Sequence, residues 1–446
     1  MNQSSSQPWW RELNRTHWLV FSAACAAWLF DCLDQQLFNL ARDAAMDDLV
    51  SDKSRVAELG SYTTSIFLLG WAAGGLTLGA LGDRFGRARI LTLSVLVYSL
   101  CTALNAFAAT YTQFCVYRFI TGVGIGGVFG LSVALIADSL PERGRAPALV
   151  LLQSLSAAGN ISAALLGMYV GNAKTQIFGL HSWQTMFVLG TIPAFLSVFI
   201  LYQVKEPLKW VEAKRAGAKL GIKFGSYFSL LGNKKWRAHA LLGLAICSVG
   251  IIGLWGIGNF HPRIVRSVVE NHLAAQHLAP EKLAGAKAYW SSLALLLQNI
   301  GAFFGITFLA RIAQTKGRKP AFILGLILSF LATIMVFKGL REFNEIFWMI
   351  PLMGFCQNSV MGIYSIYLPE LFPTSLRSTG TSFAYNFGRI AAATAPFTIG
   401  VITRSLGGNI EGFRTAGSWV SLILLLGLIV VPFLPETKDQ PLPEES

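Results

Sequence analysis

The sequence is short of charge. Of its 446 residues only 13% are Asp, Glu, Lys or Arg, while 53% are hydrophobic, and an ordinary soluble domain is about 25% charged. A soluble chain of this length would divide into about three domains, each with its own charged surface. The charge needed to cover three such surfaces is missing. Disorder is excluded from the other side, because it requires low hydrophobicity. The chain also lacks a Gly-x-x-x-x-Gly-Lys-Ser/Thr phosphate loop, which argues against direct use of ATP. Its six cysteines (Cys25, Cys32, Cys101, Cys115, Cys247, Cys356) show no metal-site spacing with histidine. Neither a metal centre nor a disulfide framework is expected, and no cofactor or enzymatic activity is read from the sequence.

What is present is long apolar runs. A membrane span needs about 20 mostly apolar residues. Twelve such segments are expected, at 18–41, 60–81, 88–109, 113–138, 146–170 and 184–204, then 238–260, 288–311, 319–338, 345–370, 378–403 and 415–434. The short alternating segments of a transmembrane β-barrel are not seen. All six cysteines fall inside these spans, as small apolar packing residues. Residues 1–17 lack the basic-then-apolar build of a cleaved signal peptide, so the first span is expected to be retained.

The charge balance of +13, from 36 basic and 23 acidic residues, is an orientation signal. With an even number of spans both termini share a side. Placing them in the cytoplasm puts 22 Lys/Arg there and 12 outside, with 2 inside spans, as the positive-inside rule requires. The segment 205–237 alone carries nine and can form an amphipathic helix on the lipid surface. No nucleic-acid partner is needed to explain the excess. His181 and His261 are expected in solvated outer loops.

The two halves repeat. The loop after span 2 reads Gly82-Asp83-Arg84-Phe85-Gly86-Arg87, and 231 residues later the loop after span 8 reads Ala313-Gln314-Thr315-Lys316-Gly317-Arg318. The loop after span 4, Asp138 to Arg145, is matched 232 residues later by Glu370 to Arg377, with Pro141 against Pro373. Two motifs at one spacing indicate a duplicated six-span unit, and such repeats place a binding site near the midplane between the halves. The second copy has Gln314 where the first has Asp83, so any electrostatic latch it forms should be weaker.

Gly82 to Arg87 resembles the signature loop of the major facilitator superfamily. Tyr117-Arg118-Phe119-Ile120-Thr121-Gly122-Val123-Gly124, Pro369-Glu370-Leu371-Phe372-Pro373-Thr374 and Pro435-Glu436-Thr437-Lys438 resemble motifs of its sugar-porter-like branch. Asp31-Cys32-Leu33-Asp34 and Asn386-Phe387-Gly388-Arg389 look most like the sialate:proton and aromatic-acid:proton symporters and the organic-anion transporters. The fold implied is an all-α membrane protein with twelve transmembrane helices in two pseudo-symmetric six-helix bundles and both termini cytoplasmic. Its parts would be a 1–17 segment, an 18–204 bundle, a 205–237 linker, a 238–434 bundle and a 435–446 tail. The chain would work as a monomer in a plasma membrane, of the bacterial inner type given the short 42–59 outer loop.

Four ionisable residues lie deep in spans: Asp31, Asp34, Arg118 and Arg389. Each costs about 2.5–3.5 kcal/mol at a span centre on insertion scales, and such residues face a cavity or a partner. At 1.5 Å per residue, Asp34 lies about 25 Å up span 1 and Arg118 about 7 Å down span 4 from the other side, nearly the same depth in a ~30 Å core. Asp34 is therefore expected to pair with Arg118, with Asp31 nearby. The resemblance implies proton coupling by this pair, because proton-coupled sugar porters pair an Asp and an Arg there; a permanent structural ion pair is the other reading. Arg389 lies about 18 Å into span 11, and a guanidinium binds carboxylates bidentately. The resemblance makes it a contact for an anionic substrate; the other reading has it satisfied by carbonyls and amides such as Asn386.

Asn160, Gln298, Asn299, Gln357, Asn358, Tyr364, Tyr385 and Asn386 are further candidates for substrate contact or for hydrogen bonds between helices. Gly122-x-Gly124-x-x-Gly127 formally matches a dinucleotide fingerprint but lies inside an apolar span. There it signals close helix packing, as do Gly70, Gly74, Gly75 and Gly79. Asp83, Arg84, Arg87, Arg145, Glu370 and Arg377 are expected to hold the cytoplasmic side shut, with Asp83 pairing to Arg145. The function expected is proton-coupled transport of a small organic anion across the bilayer; a carrier of a sugar or other neutral solute is the alternative, and it would not need Arg389.

Overall fold

The computed structural model describes residues 8–52, 55–171, 179–257, 261–274, 280–392 and 394–444. The described chain folds into seventeen α-helices. The first half contains α1 (Arg15–Leu49), α2 (Val56–Phe85), α3 (Arg87–Asn105), α4 (Tyr111–Ser139), α5 (Glu142–Gly171) and α6 (Ser182–Tyr202). A connection carries α7 (Leu208–Lys219) and α8 (Tyr227–Gly232). The second half contains α9 (Lys234–Ile251), α10 (His261–Ala274), α11 (Pro280–Thr315), α12 (Arg318–Ile334), α13 (Ile346–Glu370), α14 (Arg377–Ala392), α15 (Thr394–Ser405), α16 (Ile410–Val420) and α17 (Ile423–Val430).

Ten helical stretches among the described residues are long and apolar enough to cross a membrane. Of the two other expected segments, the sixth falls on α6. The eleventh falls on α14 and α15, which flank residue 393, outside the described residues.

The structure bears on three expectations. Much of the expected 42–59 outer segment is helical, since α1 runs to Leu49 and α2 begins at Val56. His261 is not solvated: it starts α10 and is 1% exposed, since α10 turns Ile264, Val265, Val268, Val269 and Leu273 into the core. The basic 205–237 segment does form a helix, α7, with one face on protein and the rest largely exposed. Trp210 is buried and donates from Nε1 to the Asp83 carbonyl at 2.9 Å, and Tyr227 donates to the Leu76 carbonyl at 2.6 Å.

Glycine sets how closely the helices approach. A Cβ on Gly70 or Gly74 would stand 2.1 or 1.9 Å from the Phe119 or Val123 carbonyl oxygen, and one on Gly122 2.3 Å from that of Phe67. Backbones this close exclude any side chain, so α2 and α4 can meet only through glycine. The second half repeats the device: Gly301, Gly305 and Gly354 would meet Pro351, Phe355 and Gln298 carbonyl oxygens at 1.9, 1.9 and 2.0 Å. Gly75 and Gly79 of α2 instead face α14, against Asn386 and Ser382, so they set the contact between halves.

Both motif loops lie at one end of the molecule and share a construction. Gly86 and Gly317 have φ of 120° and 109°, in the region that only glycine enters without strain. The turn lets a glutamate cap the next helix. Glu206 accepts from the amides of Arg87, Ala88 and Arg89 at 2.8, 3.2 and 3.1 Å. Glu436 accepts from those of Arg318 and Lys319 at 2.9 and 3.1 Å. The first side chain of each capped helix then binds an acid of its own half: Arg87 pairs with Asp138, and Arg318 with Glu370 at 2.7 Å.

Candidate functional site

A cavity lies between the halves, with about 80 Å³ open to water centres. One water needs about 10–15 Å³ on this measure, so the space holds several. Its walls come from α1, α5, α11, α13 and α14 and include Trp28, Gln35, Asn160, Asn358, Tyr385 and Arg389. Gln298 and Asn299 also line it, and Asn160 donates to Asn299 across the halves at 2.9 Å.

Arg389 is the charged group of this wall. It is 5% exposed, and its guanidinium lies 3.4 Å from the Trp71 ring centroid and 4.4 Å from that of Tyr385. Tyr385 in turn stacks on Phe129 at 4.1 Å. Stacking of this kind stabilises a desolvated cation and fixes the plane in which its N–H edge points. Nη1 donates to Asn386 Oδ1 at 3.5 Å. Asp31 of α1 lies within electrostatic reach from the opposite half, so Arg389 has a fixed acid neighbour that its own half could not supply. Asp31 is fully buried; Oδ1 accepts from Gln35 at 2.7 Å, while Oδ2 accepts no hydrogen bond among the described residues.

A second charge site lies inside the first half. Arg118 Nη1 stands 3.7 Å from Asp34 Oδ2, both side chains being almost completely buried. Thr102 donates to Asp34 Oδ1 at 2.6 Å, and Arg118 Nε donates to Asn105 at 2.9 Å. The guanidinium is boxed by Phe187, Phe38, Phe114 and Phe67 at 4.8 to 6.0 Å. Neither Nη of Arg118 donates a hydrogen bond among the described residues. A buried pair offsets its desolvation only with excellent geometry; this one is loose.

The polar candidates divide. Gln298, Asn299, Asn160, Asn358, Tyr385 and Arg389 line the cavity. Gln357 and Tyr364 do not: Gln357 Nε2 donates to Thr333 at 2.7 Å and Tyr364 to the Ile246 carbonyl at 2.6 Å, so both donors join helices. Asn386 bonds the Ser382 carbonyl at 2.9 Å and sits under Arg389.

At the motif end a latch joins the halves. Asp83 Oδ2 accepts from Thr379 N and Oγ1, both at 2.8 Å, and Oδ1 from Ser378 N at 3.2 Å and Arg87 Nη2 at 3.1 Å. An acid thus caps the N-terminus of α14 from the other half. Arg377 crosses to pair with Asp138, and Arg87 donates to the Thr374 carbonyl at 2.7 Å. Asp83 does not pair with Arg145: its oxygens are taken by α14 and Arg87. Arg145 is buried with no ion pair among the described residues, though Glu142 and Glu370 are electrostatic neighbours. Arg84 is exposed, lies over Phe85 at 5.3 Å and takes no part.

Sequence reasoning missed Gln35, Thr102, Asn105, Trp71 and Asp138. Thr102 and Asn105 are polar residues three apart at the end of an apolar run, a helix-face signal. Asp138 was findable as the counterpart of Glu370. Trp71 as a partner of Arg389 had no sequence signal.

The chain is similar to known proteins along most of its length. The family described as "Sugar (and other) transporter" matches residues 34–226, and "Major Facilitator Superfamily" matches 274–446. The cis,cis-muconate transport protein of Acinetobacter baylyi is 28% identical, over 95% of this chain and 95% of its own. The sialic acid transporter NanX of Escherichia coli is 23% identical, over 94% and 95%. The solved proton:xylose symporter XylE has the same fold, with a TM-score of 0.73 at 16% identity over 96% of this chain and 98% of its own. With an all-helical fold of two like halves, many membrane-crossing helices and these matches along most of its length, the chain is a multi-pass membrane protein belonging to the major facilitator superfamily.

Proposed function

We propose that the protein is a secondary transporter that carries a small organic anion by alternating access, in symport with protons. The observation that carries this reading is Arg389, a buried guanidinium in the wall of the cavity between the halves, held flat by Trp71 and Tyr385. Its planar fork suits a carboxylate, and the amides around it suit the rest of a polar solute. The relatives named for muconate and sialic acid, both carboxylates, support the same class. In this reading the twelve expected spans form two bundles, 18–204 and 238–434, of a monomer in a bacterial inner membrane, with termini and motif loops in the cytoplasm. It works as a carrier and not as an enzyme.

Asp34 and Arg118 are proposed as the coupling element. Protonation of Asp34 removes the counter-charge of Arg118, which is then buried in a ring of phenylalanines without a partner charge. That cost biases the equilibrium toward the conformation that rehydrates the pair. Asp34 does not line the cavity, so its proton exchange belongs to a different conformation from the latched one. The latch of Asp83 on α14 closes the cytoplasmic side and breaks as the halves rock.

The test is uptake into proteoliposomes of benzoate, muconate, nicotinate, sialate and xylose, with and without an inward proton gradient. Saturable carboxylate uptake that rises with the gradient is expected. Saturable sugar uptake that survives Arg389→Ala, with no carboxylate flux, would overturn the reading.

A further inference from the structure

A second concavity, about 720 Å³ in volume, opens at the motif end between the ends of α2, α3 and α6 and one face of α7. Four cations line it: Arg89, Lys205, Lys214 and Arg215. Its one acid, Glu206, is occupied by the three amides at the start of α3. Among the described residues none of the four cations forms an ion pair. Lys214 is positioned all the same, donating to the Arg84 carbonyl at 2.8 Å and lying 4.6 Å over the Trp210 ring. The groove is therefore a built concentration of positive charge that no ion pair among the described residues neutralises.

Depth and rim identify the ligand. Membrane-crossing stretches end at Phe85 and begin at Arg87, and α6 ends at Tyr202, so the groove lies where spans leave the hydrocarbon. Phe85 lines it with 48% of its surface exposed, and Tyr202 and Leu208, on either side of the α6–α7 connection, are 87% and 76% exposed. A free phosphate gains nothing from such apolar surface, whereas a lipid needs it beside the cations. We propose that this groove binds the phosphate headgroup of an anionic phospholipid, with Phe85, Tyr202 and Leu208 against its acyl chains. Its floor is bonded to the last turn of α2, which carries the latch residue Asp83, through Trp210 to the Asp83 carbonyl and Lys214 to that of Arg84. A bound headgroup holds α7 in place against the end of α2 and so favours the latched conformation.

The test is native mass spectrometry of the full chain exchanged into mixed micelles of phosphatidylglycerol and phosphatidylcholine, with spin-labelled phosphatidylglycerol in vesicles as a second readout. Each cation near an anionic surface contributes about five-fold in affinity, so Lys205→Gln and Arg215→Gln should each lower the preference for phosphatidylglycerol by about that factor. Both side chains are exposed, so folding is not at risk, and Arg311→Gln near the end of α11 should leave the preference unchanged. Equal preference in wild type and both groove variants overturns the proposal. Inorganic phosphate that displaces the spin-labelled lipid at physiological concentration also overturns it, by assigning the groove to a soluble anion.

Discussion

The two halves share their packing devices and not their functional charges. At an offset of 230 to 232 residues, Gly70, Gly74 and Gly122 recur as Gly301, Gly305 and Gly354, Gly86 as Gly317, Arg87 as Arg318, Asp138 as Glu370 and Glu206 as Glu436. Each recurrent pair does the same work twice: a close helix crossing, a glycine turn, a capped helix or an arginine on an acid. The counterparts of Asp83, Thr379, Arg118 and Arg389 are Gln314, Pro147, Ile350 and Ala157. The latch is thus lost twice on the reciprocal side, since Gln314 has no charge and Pro147 no amide to donate. What is repeated builds the fold; what is not repeated sits at the cavity, the buried ion pair and the latch.

Substitutions can break this division. The largest effect is expected at an unrepeated charge: Arg389→Ala should weaken carboxylate binding by about 10- to 100-fold, the worth of hydrogen bonds to a charged group, with no loss of thermal stability. Isothermal titration with benzoate measures it, and Arg389→Lys should recover only part, because an ammonium lacks the planar fork. At a repeated position the pattern should reverse. Gly305→Ala forces a Cβ against the Phe355 carbonyl and should cost about 1–3 kcal/mol of stability, seen as a lower melting temperature, while the folded fraction keeps its affinity. Asp83→Asn should raise the population open at the motif end by about ten-fold, through loss of ~1–2 kcal/mol of charge-assisted bonding. Spin-label distances across that end report it, and Gln314→Asp should change little because Pro147 cannot answer it.

The smallest effect is one of pH. Burial pushes the Glu436 carboxyl up, but the amides of Arg318, Lys319 and Lys438 outweigh it and hold it below the usual glutamate range. A folded value below the unfolded one contributes stability that is present above the ordinary glutamate range and is lost as pH falls through the folded value. Glu436→Gln should remove that acid-side slope from melting curves, modestly, because the side chain is exposed and screened.

The sequence shows this division only in part. The spans, the repeat and the four buried charges are legible because hydrocarbon tolerates so little polarity that every exception stands out. Asp34 and Arg118 could be matched by depth, since rise per residue is fixed. Rotation about the helix axis is not. Gln357 and Asn358 are neighbours in sequence, yet one bonds Thr333 and the other lines the cavity. Asp83 was expected on Arg145 because both lie in loops at the same end; the geometry instead offers it the free amides of α14, a stronger partner for an acid than a distant guanidinium.

The central claim is that the two buried arginines have separable tasks, Arg389 holding the anion and Arg118 answering Asp34 in coupling. It is tested most directly by measuring benzoate counterflow and proton-driven accumulation on the same proteoliposomes for Asp34→Asn and Arg389→Ala. The account predicts that Asp34→Asn exchanges substrate but does not accumulate it, while Arg389→Ala does neither at benzoate concentrations near the wild-type KM. Accumulation by Asp34→Asn, or saturable carboxylate exchange by Arg389→Ala at wild-type affinity, would contradict it.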